Sequence, residues 1–440
     1  MRNLLQIVVP RFRCLEEEMN NRDRFYSLTY EDRQELRLAR LNETWSEAGR
    51  YSRYYSELSR RLGLPDRFAS FEEFRTAVPR TTKESVKLNP EAFNTGTQKR
   101  GKWMLTGGST GAPTRVYWGL KGLLESLRDQ YWARSWWSVA PFDRQAMLWG
   151  HSHSFGTGLR GYYYKMAVPV IDGLRGRRRF SAYRMDEGNL RKCYDSMARF
   201  RPRSLYAYGS AAHLLASANR GRSPFSKPLV AAFLAAEPVR QSYRSSIADV
   251  FGCPAVGEYG SIECGMLAYE HPSGGYRIFE RSVVVETEKN QNGYDILVTQ
   301  LRDTGFPLFR YEIGDETPHP IQVSSSGFET ISSIRGRSHD FLWTPSGSAF
   351  HAEMITHVME RFPEVVLFNV HQDKERRLLF RVQTFDGEEL SASSGDKIRE
   401  LIADALQEQL DITIHTLPSL ERTLSGKHRW ITSEISGDQV

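Results

Sequence analysis

The stretch Thr106-Gly107-Gly108-Ser109-Thr110-Gly111-Ala112-Pro113-Thr114 is the part of this chain best suited to chemistry. Glycine permits backbone dihedrals closed to other residues and lets a ligand approach the main chain. Serine and threonine hydroxyls donate hydrogen bonds to anionic oxygens. Successive backbone N–H groups in such a loop form an anion-binding concavity. The chemistry this allows is the clamping of a polyphosphate; the plain alternative is a flexible polar loop. The stretch lacks G-x-x-x-x-G-K-[ST], so an ordinary P-loop is disfavoured.

Four further segments carry reactive side chains. Glu258-Tyr259-Gly260-Ser261-Ile262-Glu263 follows an apolar run that reads as a buried strand, and open α/β sheets bind ligands at the carboxyl ends of their strands. A tyrosine there can stack on a base and a glutamate can hold Mg²⁺. Phe309-Arg310-Tyr311-Glu312-Ile313-Gly314-Asp315 ends another run with a carboxylate suited to a ribose diol. Ile334-Arg335-Gly336-Arg337-Ser338-His339-Asp340 lies where the texture of the chain changes. Glu421-Arg422-Thr423-Leu424-Ser425-Gly426-Lys427 presents a lysine on a glycine turn. Taken singly, a loop aspartate or lysine is as a rule only a solvated charge.

The elements that must position these segments are those of an α/β protein. Residues 1–60 hold no glycine before Gly49 and read as helices; a punctuated stretch, Pro79-Arg80-Thr81-Thr82-Lys83, precedes the glycine-rich loop. A helical pattern runs from Lys121 to Trp137. Apolar runs at Ala146–Trp149, Leu205–Tyr208, Leu229–Ala235 and Ala255–Glu258 then alternate with helical ones at Asp186–Arg199, Ala211–Asn219 and Arg240–Phe251. That alternation predicts a largely parallel sheet. Ile278–Glu286, Ile296–Thr299 and Leu308–Ile313 read as strands of a smaller sheet or barrel. Past Asp340 come a helix at His351–Arg361, strands at Val365–His371 and Leu378–Thr384, a helix at Gly395–Gln409 and a short strand at Ile412–His415. The expected architecture is a large N-terminal α/β domain with mixed sheets, residues 1–336, whose segment 1–75 is helical. A small mobile α/β domain, residues 337–440, follows it.

The chain has 440 residues, 40% hydrophobic and 25% charged, as in ordinary soluble globular proteins. Its net charge of +6 is a mild excess that suits an anionic small substrate as well as nucleic acid, and no nucleic-acid recognition motif accompanies it. No apolar run approaches the ~20 residues of a membrane span, and Leu4–Val9 is too short for a good signal peptide. The 4 cysteines are too scattered for a disulfide framework, which fits a reducing cytoplasm. Cys253, Cys264 and His271 match no standard zinc spacing.

In their order along the chain, the phosphate loop, Tyr-Gly-Ser-x-Glu, Arg-Tyr-x-x-Gly-Asp, Gly-Arg-x-x-Asp and the late Ser-Gly-Lys resemble the adenylate-forming superfamily of acyl-CoA synthetases, adenylation domains and luciferases. Ala236-Glu237-Pro238 and Phe251-Gly252-Cys253-Pro254 resemble its phenylacetate–CoA ligase branch, which includes CapK-like proteins. The likeness spans about Pro79 to Lys427. It implies that Thr106, Ser109, Thr110 and Thr114, with Gly107, Gly108 and Gly111, hold the β- and γ-phosphates of ATP. Glu237, Pro238 and Gly260 fall in nucleotide-binding segments, Tyr259 flanks adenine, and Ser261 lies by the α-phosphate. Glu263 matches the Mg²⁺ ligand, Asp315 the ribose carboxylate with Arg337 nearby, and Lys427 the mobile catalytic lysine. His339 and Asp340 fall at the hinge, where many relatives have Asp or Lys in place of His339. His151, His153, Phe155 and Gly156, with Tyr208 and Trp149, match the wall of the acyl pocket and suggest an aromatic or modest-sized acid; packing explains Trp149 and Tyr208 equally well.

The resemblance implies adenylation of a carboxylic acid by ATP and Mg²⁺, with pyrophosphate release, then transfer of the acyl group to coenzyme A. The alternative is an amide or ester ligase passing it to an amine or hydroxyl acceptor in natural-product or polysaccharide biosynthesis. A non-catalytic nucleotide-binding protein is disfavoured, because a binding relic need not keep Lys427. Neither a nucleic-acid nor a membrane partner is expected. The basic run Gly173–Arg179 reads as a solvated loop or as a contact for the phosphates of CoA or an anionic acceptor.

Overall fold

A computed structural model describes residues 11–105, 114–149, 167–182, 187–222, 225–236, 239, 241–290, 293–334, 341–351, 353–359, 361–362, 364–384, 388–418, 420 and 431–435. They form two compact units. One comprises the described residues up to 105, 114–140 and 257–334; the other comprises those of 141–256 and of 341–435.

The first unit begins with helices α1 (Arg11–Tyr26), α2 (Tyr30–Tyr51) and α3 (Arg53–Leu62), as the glycine-poor opening predicts. The Thr29 hydroxyl caps α2 by accepting from the Asp32 N–H at 3.1 Å, and Glu31 and Asp32 favour its first turn. Gly63, at φ 64°, ends α3 in the left-handed conformation that glycine adopts without strain. The short helices α4 (Phe71–Ala77), α5 (Lys83–Leu88) and α6 (Pro90–Phe93) follow. Strands β1 (Gly101–Leu105) and β2 (Arg115–Gly119), which come before and after the glycine-rich stretch in the sequence, pair antiparallel, and β2 leads into α7 (Leu120–Trp136). The rings of Trp45, Tyr55, Phe74, Phe93 and Phe309 meet edge to face in the core beneath these helices.

Arginines of the helices turn inward as well. Arg22 Nε lies 2.8 Å from Asp129 Oδ1, and Arg302 Nη2 lies 2.8 Å from Asp129 Oδ2, which also accepts from Ser282 at 2.7 Å. Arg37 grips Glu329 with two parallel bonds of 2.6 and 3.0 Å, and Arg33 pairs with Glu280 at 3.0 Å. These pairs tie α1 to α7 and α2 to residues far along the chain.

The second unit carries β3 (Gln145–Trp149), β4 (Arg177–Ser181), β5 (Ser204–Tyr208) and β6 (Ala231–Ala235), which pair parallel in the order β4-β3-β5-β6. Helices α8 (Glu187–Phe200), α9 (Gly209–Ser217) and α10 (Gln241–Phe251) alternate with them as the apolar runs predict. Arg177, Arg178 and Arg179 are not loop residues. They belong to β4, an edge strand, where charge discourages further pairing.

The parallel arrangement stops there. From β7 (Ala255–Ser261) the chain pairs antiparallel through β8 (Gly265–Glu270) and β9 (Tyr276–Ile278), joined by β13 (Gln322–Val323) and β14 (Glu329–Ile331). The expected strand over 278–286 is two strands, β9 and β10 (Val283–Lys289). Phe279–Ser282 turn between them, and buried Glu280 accepts from Arg33 and from the Glu329 N–H at 3.0 Å. Strands β10, β11 (Tyr294–Gln300) and β12 (Tyr311–Thr317) form an antiparallel sheet. β12 starts later than Leu308 because Arg310 sits at φ 47°, outside the strand region.

Residues from 341 on hold the hairpin β15 (Phe341–Trp343) and β16 (Ala349–His351) and helices α11 (Glu353–Met359) and α12 (Ala392–Leu406). Their four-stranded sheet comprises β17 (Val365–Gln372), β18 (Leu378–Thr384), β19 (Ile412–Thr416) and β20 (Ile431–Ser433), in the order β19-β18-β17-β20. They bury a core of their own, including Phe350, Ile355, Val370, Phe380, Ile398 and Ile402. No helix among the described residues is long and apolar enough to cross a membrane.

Burial alone would push the Asp129 carboxyl up, but Arg22, Arg302 and the Ser282 hydroxyl outweigh it and hold it below the ordinary aspartate range. Asp129→Ala leaves two buried guanidinium groups without their carboxylate and is expected to cost about 3–5 kcal/mol, read as a lower urea midpoint. The folded-state value is depressed, so the stabilisation is full above the ordinary aspartate value and is lost as pH falls through the lower one. The acid limb of the variant's stability profile should be flatter than that of the parent protein.

Candidate active site

The site residues of the first unit gather at the end of β7. Gly257 donates its N–H to Glu270 at 2.8 Å, and any Cβ there would meet the Tyr276 hydroxyl at 2.0 Å. The next two side chains alternate faces, as strand geometry requires. Glu258 turns to one side, where its Oε2 accepts from Gln130 at 2.8 Å. Tyr259, buried, turns to the other and donates its hydroxyl to Asp315 Oδ2 at 3.2 Å. Burial, and then the Asp315 carboxylate, push this phenol well above its usual value, so it remains a donor at any physiological pH.

Both residues lie within their strands at bulges. The β7–β8 register slips between Tyr259 and Gly260, and that of β11–β12 shifts so that Asp295 faces Glu316 while Leu297 faces Glu312. Gly314, at φ 83°, lies inside the second bulge and directly before Asp315. Bulges re-aim side chains beside functional sites.

After the strand the chain turns sharply. The Ser261 hydroxyl accepts from the Cys264 N–H at 3.0 Å. Trp118 Nε1 donates to the Ile262 carbonyl at 2.7 Å, which fastens β2, the strand leaving the glycine-rich stretch, to this turn. Thr114 at the head of β2 is fully buried. Gln300 donates to the Glu263 carbonyl at 2.9 Å, and the Glu263 side chain is only 7% exposed. Its Oε1 lies 3.4 Å from the Tyr311 hydroxyl and 3.4 Å from Lys83 Nζ.

Thr114, Tyr259, Gly260, Ser261, Glu263 and Asp315 therefore fall in one unit, linked by Tyr259–Asp315, Trp118–Ile262 and Tyr311–Glu263. Tyr208 ends β5 in the other unit, fully buried, with its ring 3.9 Å from that of Trp149. β6 in that unit gives way to Ala236 at φ 69°, a left-handed conformation unusual for alanine and common where strands end at functional loops. Thr106, Gly107, Gly108, Ser109, Thr110, Gly111, His151, His153, Phe155, Gly156, Glu237, Pro238, Arg337, His339, Asp340 and Lys427 lie outside the described residues.

Sequence reasoning missed Lys83 and Tyr311. Tyr311 stood inside a quoted segment without a role. Lys83 stood in a stretch noted only for its punctuation, although one signal was present: it opens a helix capped by Thr82, where the helix dipole disfavours a cation.

No three His, Cys, Asp or Glu side chains among the described residues gather into a metal site, and Cys193, Cys253 and Cys264 are free thiols. Glu263 offers one buried carboxylate. That suits Mg²⁺, which takes one or two carboxylates and completes its shell with phosphate oxygens and water.

No protein-family model matches the chain. It is 24% identical over 314 residues to protein CapK of Staphylococcus aureus, covering 70% of this chain and 68% of CapK. Among solved structures it resembles 2-hydroxyisobutyryl-CoA ligase in the postadenylation state with R3-HIB-AMP, with a TM-score of 0.56 and 15% identity over 94% of this chain and 92% of the other. An open conformation of the same ligase with 2-HIB-AMP and CoA gives a TM-score of 0.55 and 16% identity over 92% of both chains.

A Cβ at Gly260 would lie 2.5 Å from the Gly265 carbonyl oxygen, a backbone atom. Gly260→Ala should therefore destabilise the β7–β8 hairpin by about 1–3 kcal/mol. Gly49→Ala, inside α2 with nothing within 4 Å of the added methyl, should instead stabilise by about 0.5–1 kcal/mol. Melting curves of the two variants should move in opposite directions.

Proposed function

We propose that this chain, which has the fold of the adenylate-forming enzymes, joins a carboxylic acid to AMP from ATP, releases pyrophosphate and passes the acyl group to coenzyme A. The observation that carries the reading is the meeting of Tyr259 and Asp315, from separate strands and both at bulges, beside the turn that holds Glu263. An aromatic face next to a carboxylate is what a nucleoside requires, one for the base and one for the ribose. An ionised carboxylate offers about four lone-pair positions.

The barrier to attack of a carboxylate on the α-phosphorus is mainly charge repulsion and alignment. Residues Thr106–Thr114 would clamp the β- and γ-phosphates with hydroxyl and backbone donors, and Ser261 would border the α-phosphate. Glu263 would hold Mg²⁺, which supplies positive charge where negative charge builds on the leaving pyrophosphate. Lys427, in a mobile domain of residues 337–440, would bridge the acid and the nucleotide. Arg337 would border the ribose, and His339 and Asp340 would form the hinge. A compact ammonium suits the lysine position better than a planar guanidinium does. His151, His153, Phe155, Gly156 and Tyr208 would line the pocket of an aromatic or modest-sized acid.

Lys427→Ala is expected to lower acyl-adenylate formation by a few orders of magnitude while ATP still binds; near-normal pyrophosphate exchange would refute the assignment. Asp315→Ala should weaken ATP about 10- to 100-fold, the worth of a hydrogen bond to a charged group, with a far smaller effect on the chemical step. Incubation with ATP, Mg²⁺ and a panel of acids, with and without CoA, tests the acceptor. Acyl-CoA formation is expected. Pyrophosphate release with no acyl-CoA indicates an amine or hydroxyl acceptor, and no turnover with any acid overturns the reading.

A further inference from the structure

Glu263 is almost wholly removed from water, and a buried carboxylate is costly unless a positive charge and hydrogen bonds stand opposite it. The opposing charge is Lys83, itself only 13% exposed, whose Nζ lies 3.4 Å from Oε1. The Tyr311 hydroxyl reaches the same oxygen at 3.4 Å. Both contacts fall on Oε1.

The placement of Lys83 is built residue by residue. Arg80 is held by Glu288 and, at 3.0 Å, by Glu312. Thr81 takes part in a parallel bridge to Tyr311: its N–H donates to the Arg310 carbonyl at 3.0 Å, and its own carbonyl accepts from the Glu312 N–H at 3.0 Å. The Thr81 hydroxyl donates to the Phe309 carbonyl at 2.7 Å. Thr82 accepts from the Ser85 N–H at 3.2 Å and starts α5, so Lys83 is its first residue. The helix dipole gives a cation no support there, and the contact with Glu263 does. The segment thus takes its register from β12, the strand that also bears Tyr311 and Asp315.

We propose that Lys83 is a positioning residue for Glu263: with Tyr311 it pins Oε1, so that Oε2 is the oxygen turned toward the metal of the bound nucleotide. This rests on the reading of Glu263 as the Mg²⁺ ligand. Lys83 acts on the metal through the carboxylate and makes no contact with ATP itself. Partners that orient a metal ligand typically contribute 10- to 100-fold in metal affinity.

The test is direct titration of the protein with ATP, with and without Mg²⁺, for Lys83→Met, Lys83→Arg, Glu263→Gln and the double variant Lys83→Met/Glu263→Gln. Lys83→Met should lose about 10- to 100-fold in affinity for MgATP, the range for such partners, and leave metal-free ATP binding unchanged. Lys83→Arg, which keeps the charge, should recover a large part of the loss. The double variant should bind MgATP no more weakly than Glu263→Gln, because the two residues act as one unit. An equal loss for metal-free ATP would mean that Lys83 touches the nucleotide, and additive losses would mean independent roles; either result overturns the proposal. If Glu263→Gln weakens MgATP and Lys83→Met does not, Lys83 is not the positioning group. If Glu263→Gln itself has no effect, the assignment of Glu263 fails first, and Lys83 falls with it.

Discussion

A carboxylate taken out of water needs a cation opposite it, and this requirement organises the first unit of the protein. Asp129 stands between Arg22 and Arg302, Glu329 is gripped by Arg37, and Glu263 faces Lys83. In each pair the partners come from distant parts of the chain. Removing one member leaves the other desolvated and alone, which costs more than the pair contributes. The pairs therefore act less as added stability than as a condition on assembly: α1 and α2 must dock where the carboxylates of α7 and β14 await them. Lys83 must likewise arrive where the turn after β7 presents Glu263.

A second constraint is the departure of the site strands from regular pairing. An unbroken ladder would keep Tyr259 and Asp315 in strict alternation along β7 and β12. The slip after Tyr259 and the shift around Gly314 release both residues from that alternation, and their side chains meet at 3.2 Å. Glycine is needed at two of these points for different reasons. Gly314 adopts a positive φ, whereas Gly260 has no room for a Cβ against the opposite carbonyl. The glycines of the tyrosine and aspartate motifs thus serve backbone geometry.

The likeness to 2-hydroxyisobutyryl-CoA ligase, at 15% identity over nearly the whole chain, shows that the architecture persists where most side chains have changed. What such divergence retains is the layering of sheets and helices that brings strand ends together. Substrate choice resides in individual side chains, which fold similarity does not carry.

Local signals in the sequence determined the helices of the opening segment, the alternation of apolar runs with helices over 145–251, and the short motifs that end in Glu263 and Asp315. Each depends on residues close together in the chain: a cap, a period, a glycine beside a polar group. Tertiary structure alone decided that the parallel strands give way to an antiparallel run from β7. It also decided that the apolar run 278–286 breaks around buried Glu280, and that Arg177–Arg179 form an edge strand. It alone brought Lys83 and Tyr311 to Glu263. Hydrophobic pattern gives the period of a strand but not its neighbours, and a pairing between distant segments follows from sheet register and from where buried charges find partners. Neither of these is written in any short stretch of residues.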